Sequence, residues 1–491
     1  MMKKAAVLTL SAVLASQLMG AEDLSEMIKE GKAGGYLRIH HIEPAFSDTV
    51  AATGSVIGGK LKYQTGALHG LRFGAAAYTT HDTGLTKWDY KTRDGYSQVA
   101  QGLHGDDFDN YTTLGEAYAS YHFSNTDITY GRQEFKTPMT ENAVTIIPNL
   151  FEGTVATIKE IPDFTVTAAH IIKMQYGTRS ATDKNLIGDS AYGITAGAGL
   201  GLVTAIVGAD GTTTNPTLVY GKEDFQDMSD ATVGKNKIDT AGVTSIGIDY
   251  AKGAFKARAW DYYAHEMYNT IYGDLEYKMD AGPAKVILGA QILSQSDVGD
   301  FATSAGGTAL KTEVMLKTLT GKNLYKTKIS TDGQIDAMAW GLQAKADIGA
   351  FSFSAAFNQN NDGHIISAWG GDPLYTSTIF SRNEYRADTT AYKLGAEYSF
   401  KDLGVPGLKF IVNHAAYDTD VQTTAVGNAA GTGWIAGAGT HNEKSDEQDY
   451  ILHYVVPSVK GLWFRLFHVQ RDNDARNYEQ AHTRLIANLS F

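Results

Sequence analysis

The sequence predicts an all-β chain folded as one transmembrane antiparallel β-barrel of about 18 strands, with short periplasmic turns and long extracellular loops. Three observations predict it. Stretches of about ten residues alternate apolar and polar side chains with a period of two. The connections between them alternate between short and long. The chain also opens on an export signal and closes on an alternating strand ending at Phe491.

The alternation is clearest in residues 285–292 (KVILGAQI), 351–358 (FSFSAAFN), 390–400 (TAYKLGAEYSF) and 484–491 (RLIANLSF). One face carries Val286, Leu288, Ala290 and Ile292, or Phe351, Phe353, Ala355 and Phe357, or Leu485, Ala487, Leu489 and Phe491. The other carries Lys285, Gln291, Ser352, Ser354, Asn358, Lys393, Glu397, Arg484, Asn488 and Ser490. One apolar face suits a soluble sandwich as well as a membrane barrel.

The connections decide between the two. Short turns are expected at 64–68, 124–125, 161–163, 251–253, 280–282, 347–349, 401–406 and 457–460. Long polar segments are expected at about 80–112, 134–152, 174–241, 294–334, 360–387 and 419–446, with shorter links near 44–53, 263–270 and 472–480. A soluble sandwich has no reason to gather its long loops at one end. An even strand count starting near residue 35 returns residue 491 to the periplasmic side, as a single-chain bacterial barrel requires. Tyr63, Tyr78, Tyr121, Phe123, Tyr250, Tyr398, Phe400, Phe410 and Tyr454 fall at expected strand ends, where aromatic girdles sit.

Composition agrees. At roughly 150 residues per domain the length suggests about three domains, but β-barrels run longer as single units. The 491 residues include 52 Gly, 27 Tyr, 9 Pro and no Cys, so disulfides, thiolate metal sites and Cys nucleophiles are excluded. Lys plus Arg number 42 against 54 for Asp plus Glu, a net charge of −12, which argues against a nucleic-acid-coating protein. A mean hydropathy of −0.22 argues against a helical membrane protein. Residues 190–209 are the nearest approach to an apolar run and hold five glycines. Residues 1–21 read as a secretory signal peptide: Lys3 and Lys4 precede an uncharged apolar stretch over 5–18, and cleavage falls after Gly20 or Ala21. Residues 22–34 are then a short periplasmic segment and 35–491 the barrel.

Four stretches carry a further likeness: 34–42 (GGYLRIHHI); 130–160 (YGRQEFKTPMTENAVTIIPNLFEGTVATIKE) with Gly131, Thr137, Pro138, Pro148, Phe151, Glu152 and Gly153; Trp369–Gly370–Gly371–Asp372 followed by 391–400; and the final strand to Phe491. Together they resemble the OprD-type outer-membrane porins, including relatives in the Campylobacter-like bacteria. The resemblance implies an 18-stranded barrel whose third extracellular loop folds into the lumen, and passage of small carboxylate-bearing molecules along a basic ladder. The terminal Phe resembles the signal read by the barrel-assembly machinery. The Gly- and Thr-rich 174–241 connection departs from the better-known members.

The function of such a barrel lies in lumen charge and in the constricting loop. Taking the polar phase of each strand as inward gives a basic wall of Arg38, Lys60, Lys62, Arg72, Lys393, Lys409, Arg465 and Arg484, on strands 1, 2, 3, 14, 15, 17 and 18. Lys256 and Arg258 on strand 9 break the segregation. Inward acids are Glu116, Asp249, Asp274 and Glu276, on strands 4, 8 and 10. A lipid-facing Lys at mid-membrane costs about 2–4 kcal/mol, which supports the inward assignment. The constriction loop is 133–152, stiffened by Pro138 and Pro148, with Glu134, Glu141 and Glu152 facing the basic wall. The expected activity is passive diffusion of small hydrophilic solutes, with anionic ones preferred. The competing class is a binding, adhesion or enzymatic barrel with a plugged lumen.

Other signals point nowhere specific. Asp106, Asp107 and Asp109 read as a solvated acidic loop, since the spacing of a calcium loop is absent. His40 and His41 point to opposite faces of a strand, which speaks against a shared metal. Gly197, Gly199 and Gly201 do not form a dinucleotide fingerprint, and neither GxSxG nor HExxH occurs. No cofactor is expected. The expected partners are outer-membrane lipid and lipopolysaccharide, small solutes and the assembly machinery. Monomer and homotrimer are both compatible.

Overall fold

The computed structural model describes residues 21–45, 53–87, 103–105, 109–141, 145–178, 223–227, 240–303, 307, 311, 313–317, 322–366, 369, 371–379, 383–474 and 478–491, together with short strands between 194 and 237. The signal-peptide expectation over 1–20, the acids Asp106 and Asp107, the glycines of 197–201 and most of the 174–241 connection lie outside these residues.

A short helix α1 (Leu24–Lys29) precedes the wall. The first seven strands are β1 (Lys32–Ala45), β2 (Gly54–Gln64), β3 (Leu71–Asp82), β4 (Tyr111–Phe123), β5 (Thr126–Gln133), β6 (Leu150–Ile158) and β7 (Phe164–Gln175). After the long connection come β8 (Val243–Lys252), β9 (Phe255–Ala264), β10 (Tyr268–Ala281), β11 (Ala284–Asp297), β12 (Asp336–Ile348) and β13 (Phe351–Asn360). The last five are β14 (Thr389–Ser399), β15 (Leu408–Gly427), β16 (Trp434–Val455), β17 (Leu462–Asn473) and β18 (Tyr478–Ser490). Each pairs antiparallel with its successor. β18 pairs back onto β1 from Tyr36↔Ser490 to Ala45↔Ala481 and closes the barrel. Closure pairs the main-chain edges, the condition for a sheet to cross lipid.

The two faces follow the alternation. Leu37 and Ile39 of β1, Leu61 and Tyr63 of β2, Leu288 and Ile292 of β11, Phe351 and Phe353 of β13, and Leu485 and Leu489 of β18 are all exposed on the outside. Exposure of that many large apolar side chains is tolerable only against lipid. Residues between them turn to the lumen. Among the described residues no helix is long and apolar enough to cross a membrane.

Three periplasmic turns are two-residue loops with glycine first: Gly253 (φ 59°), Gly282 (φ 63°, before Pro283) and Gly349 (φ 59°). That left-handed conformation suits the turns that match strand twist and is closed to most side chains. At the periplasmic rim the rings of Phe164 and Tyr250 lie 4.7 Å apart and those of Phe351 and Tyr398 4.9 Å apart, a girdle of the expected kind. Tyr78 corrects that expectation: it is fully buried and faces the lumen.

A second correction concerns 419–446. β15 and β16 run 20 and 22 residues, leaving only 428–433 as their connection. Asn323–Thr327, from the connection between β11 and β12, pairs alongside β15 through Tyr325↔Val426. Above the membrane a hairpin needs no apolar face, so its strands carry no alternation to read. β1 likewise begins at Lys32 rather than near residue 35.

Candidate functional site

The site is the lumen and the segment that narrows it. β5 ends at Gln133, and the chain crosses the interior before returning as β6 at Leu150. A turn at Thr137–Thr140 starts the crossing: the Thr137 amide donates to Thr140 Oγ1 at 2.9 Å and the Glu141 amide to the Thr137 carbonyl at 3.0 Å. Pro138, inside that turn, has no amide to satisfy.

The far wall holds the crossing. The Tyr36 hydroxyl donates to the Ile146 carbonyl at 2.7 Å, and Arg38 Nη1 donates to the Thr145 carbonyl. A Cβ on Gly58 of β2 would sit 2.7 Å from the Ile146 side chain, so glycine makes room there. From the extracellular side, the connection between β13 and β14 clamps the same loop. Asn149 donates to the Trp369 carbonyl at 2.6 Å, and the Gly371 amide to the Met139 carbonyl at 3.0 Å. Phe135, Met139, Trp260, Tyr262, Tyr268 and Trp369 form one buried apolar cluster inside the barrel. The crossing is therefore fixed to both walls.

At its base lies a polar constellation on β2, β3 and β4. Lys60 Nζ pairs with Glu116 at 2.5 Å and with Glu134 at 2.6 Å, and Lys62 pairs with Glu116 at 2.6 Å. The Tyr78 hydroxyl lies 2.8 Å from an oxygen of each carboxylate, so that its single proton is shared between them. Arg72 stands 3.7 Å from Asp127. Lys60, Lys62, Arg72, Glu116, Asp127 and Glu134 line a lumen cavity of about 320 Å³ together with Tyr118, Ser120, Thr129 and Gln133. Burial pushes the Glu134 carboxyl up, but the Lys60 ammonium outweighs it and holds the group at about 2, below its ordinary 4.5. A depressed carboxylate contributes stability above its ordinary value, and that contribution is lost as pH falls towards the depressed one. Glu134→Gln should therefore cost about 2 kcal/mol. Heat unfolding of wild type and variant should differ equally at pH 8 and pH 5, and the difference should shrink as pH falls from 4.5 towards 2.

The other acids of the crossing behave differently. Glu141 is exposed. Glu152 is a correction: it lies on β6, not in the loop, and its register partner is Arg132 of β5. Alternation puts Phe151 in the lumen and Glu152 outside, bonded to Arg132 at 2.9 Å with Lys173 at 4.0 Å. The sequence reading carried the loop three residues too far, past Leu150, and so counted a strand residue as a loop residue.

Across the lumen, Arg258 of β9 bonds Asp274 of β10 at 2.9 and 3.1 Å, and the Tyr272 hydroxyl donates to the same carboxylate at 3.0 Å. Asp249 is the register partner of Arg258, and Glu276 accepts from Gln343 at 3.5 Å. On the last strands Lys409 pairs with Glu397 at 2.6 Å, and Lys393 donates to the Ser377 carbonyl. Sequence reasoning missed the inward acids of β16. Glu443 binds Arg386 at 2.9 Å with both side chains buried, and Glu447 lies 3.8 Å from Arg471. Asp449 is buried beside them on the same strand. The wall expected to be basic is mixed.

Arg38 and Arg465 differ from their neighbours. Arg38 Nε and Nη2 donate to Asn488 Oδ1 at 3.0 and 2.9 Å. Arg465 Nε donates to His453 Nδ1 at 3.5 Å. Neither pairs with a carboxylate among the described residues. Trp463 stands between them, its ring 5.7 Å from one guanidinium carbon and 5.5 Å from the other. Arg484 of the same wall lies with its guanidinium 5.6 Å from the Phe467 ring. Among the described residues no group of His, Asp and Glu is placed to hold a metal ion.

A closed barrel with an apolar outer band, a polar lumen and an inward loop defines an outer-membrane channel of the porin class. The chain belongs to the OprD family: the model of the outer membrane porins of that family matches residues 60–199 and 211–491. Its location is the bacterial outer membrane. No curated protein sequence matches. Among solved structures the chain is similar to Pseudomonas aeruginosa OccK8 (OprE), with a TM-score of 0.66 at 17% identity, covering 95% of this chain and 99% of that one. It is similar to P. aeruginosa OccK1 (OpdK), with a TM-score of 0.64, 17% identity and coverage of 95% and 99%. It is also similar to OpdK with vanillate, with a TM-score of 0.65 and the same identity and coverage. At that identity the likeness speaks for the fold.

Proposed function

We propose that the chain is a passive diffusion channel for small hydrophilic solutes that prefers carboxylate-bearing and other anionic ones. The observation that carries this reading is the Arg38–Trp463–Arg465 group: two lumen guanidiniums without a carboxylate partner among the described residues, flanking an aromatic plate. Guanidiniums bind carboxylates in a planar fork, and an indole face accepts a flat solute. A planar aromatic carboxylate such as the vanillate present with OpdK suits that pair. Lys60, Lys62, Lys409 and Arg258 are compensated by acids and serve to hold the wall and the loop in place.

The same reading assigns residues 1–21 to an export signal, the inward crossing to the size filter, and Phe491 to recognition by the assembly machinery. The Phe491 main chain bonds Gly35 at the closing seam. Placement in the Campylobacter-like branch rests on the short motifs at 34–42 and 130–160. Planar-bilayer recording tests the channel itself. Steady ohmic steps are expected; a barrel that inserts and shifts on heating but stays silent would favour a binding or adhesion protein with a plugged lumen.

A further inference from the structure

We propose that α1 is an interfacial anchor whose exposed apolar side chains insert among the acyl chains of the periplasmic leaflet. The segment is amphipathic. Leu24, Met27 and Ile28 fall on one arc at helical spacing, and Ser25, Glu26, Lys29 and Glu30 on the other. Asp23 caps the helix, its carboxylate accepting from the Glu26 amide at 2.8 Å. The barrel uses only part of the apolar arc. Met27 is fully buried, whereas Leu24 is 65% and Ile28 61% exposed.

The docking contacts say what the rest of the arc faces. The Met27 carbonyl accepts from the Gly66 amide at 2.8 Å, which ties the segment to the periplasmic turn between β2 and β3. The Tyr63 hydroxyl donates to the Ile28 carbonyl. Tyr63 belongs to the outward face of β2, two residues from the lipid-facing Leu61. A Cβ on Gly31 would collide with the Tyr63 ring, so glycine lets the chain pass beneath it. The helix thus sits under the girdle on the outside of the wall, and Leu24 and Ile28 continue the surface begun by Leu61 and Tyr63. Acyl chains are the occupant that continuity with the lipid-facing band requires.

The chain has no cysteine, which makes single labels clean. Leu24→Cys and Ile28→Cys, each carrying an environment-sensitive fluorophore, would be reconstituted with nitroxide-bearing phospholipids. Leu61→Cys serves as the lipid-facing reference and Ser25→Cys as the aqueous one. Quenching within about twofold of the Leu61 reference, with little quenching by aqueous iodide, is the expected result. Iodide quenching at the level of Ser25 would overturn the proposal. The unlabelled protein supplies a second measurement in nanodiscs containing a diazirine phospholipid. Adducts on Leu24 or Ile28 are expected beside those on the β2 peptide, and a β2 peptide modified without any adduct on 22–32 would overturn it equally.

Discussion

Deleting residues 139–149 should raise single-channel conductance about twofold or more, the largest change open to any local alteration of this barrel. The crossing is held by Tyr36 and Arg38 on one side and by Trp369 and Gly371 on the other, so it cannot swing aside while those contacts persist. Removal takes away Met139, Ile146 and Ile147, all fully buried, and leaves Glu134 at the end of β5. The wall itself does not depend on the loop, because β5 and β6 remain paired from Thr126↔Ile158 to Gln133↔Phe151. The deleted protein should therefore still insert and still shift on heating. Unchanged conductance in a correctly inserted barrel would show that the loop does not set the narrowest point.

The second large effect concerns charge. Replacing Arg38 and Arg465 with Gln should move the reversal potential towards cation selectivity by on the order of 10 mV under a tenfold salt gradient, since these charges act in a narrow, low-dielectric passage. Extending the change to Arg72 and Arg484 should add less. Arg72 already faces Asp127 at 3.7 Å, and the Arg484 side chain is 5% exposed. Lys60→Gln and Lys62→Gln supply a contrast. Removing either leaves Glu116, a buried carboxylate, short of a partner, so the dominant result should be lost stability rather than altered selectivity. Breaking such a buried pair costs about 3–5 kcal/mol. A selectivity shift carried by the lysines and absent from the arginines would reverse the assignment of roles.

Most of the wall was legible in the sequence because a barrel strand must alternate and a periplasmic turn must reverse the chain in few residues. The runs at 285–292 and 351–358, and the glycines at 253, 282 and 349, carry those constraints in residue type. What escaped obeys neither constraint. The hairpin above the membrane from Thr419 to Asp446 pairs main chain without an apolar face, so it read as a connection and hid Glu443, while Glu447 and Asp449 went unweighed beside the basic residues. Those acids are what turn an expected basic wall into a mixed one. Tyr78 read as girdle because its type suits an interface, but its strand phase puts it with Arg72 in the lumen. Glu152 went wrong by three residues of loop length, and strand phase again decided its side. The pairing of Lys60 with Glu134 across 74 residues of chain has no local signature at all.

The most direct test of the whole account is permeation of matched solutes into liposomes: an aromatic carboxylate against its neutral amide of the same size, through wild type and the Arg38→Gln/Arg465→Gln variant. Wild type should admit the acid several-fold faster than the amide, and the variant should bring the two rates together. Equal rates in wild type, or a preference that survives loss of both arginines, would contradict it.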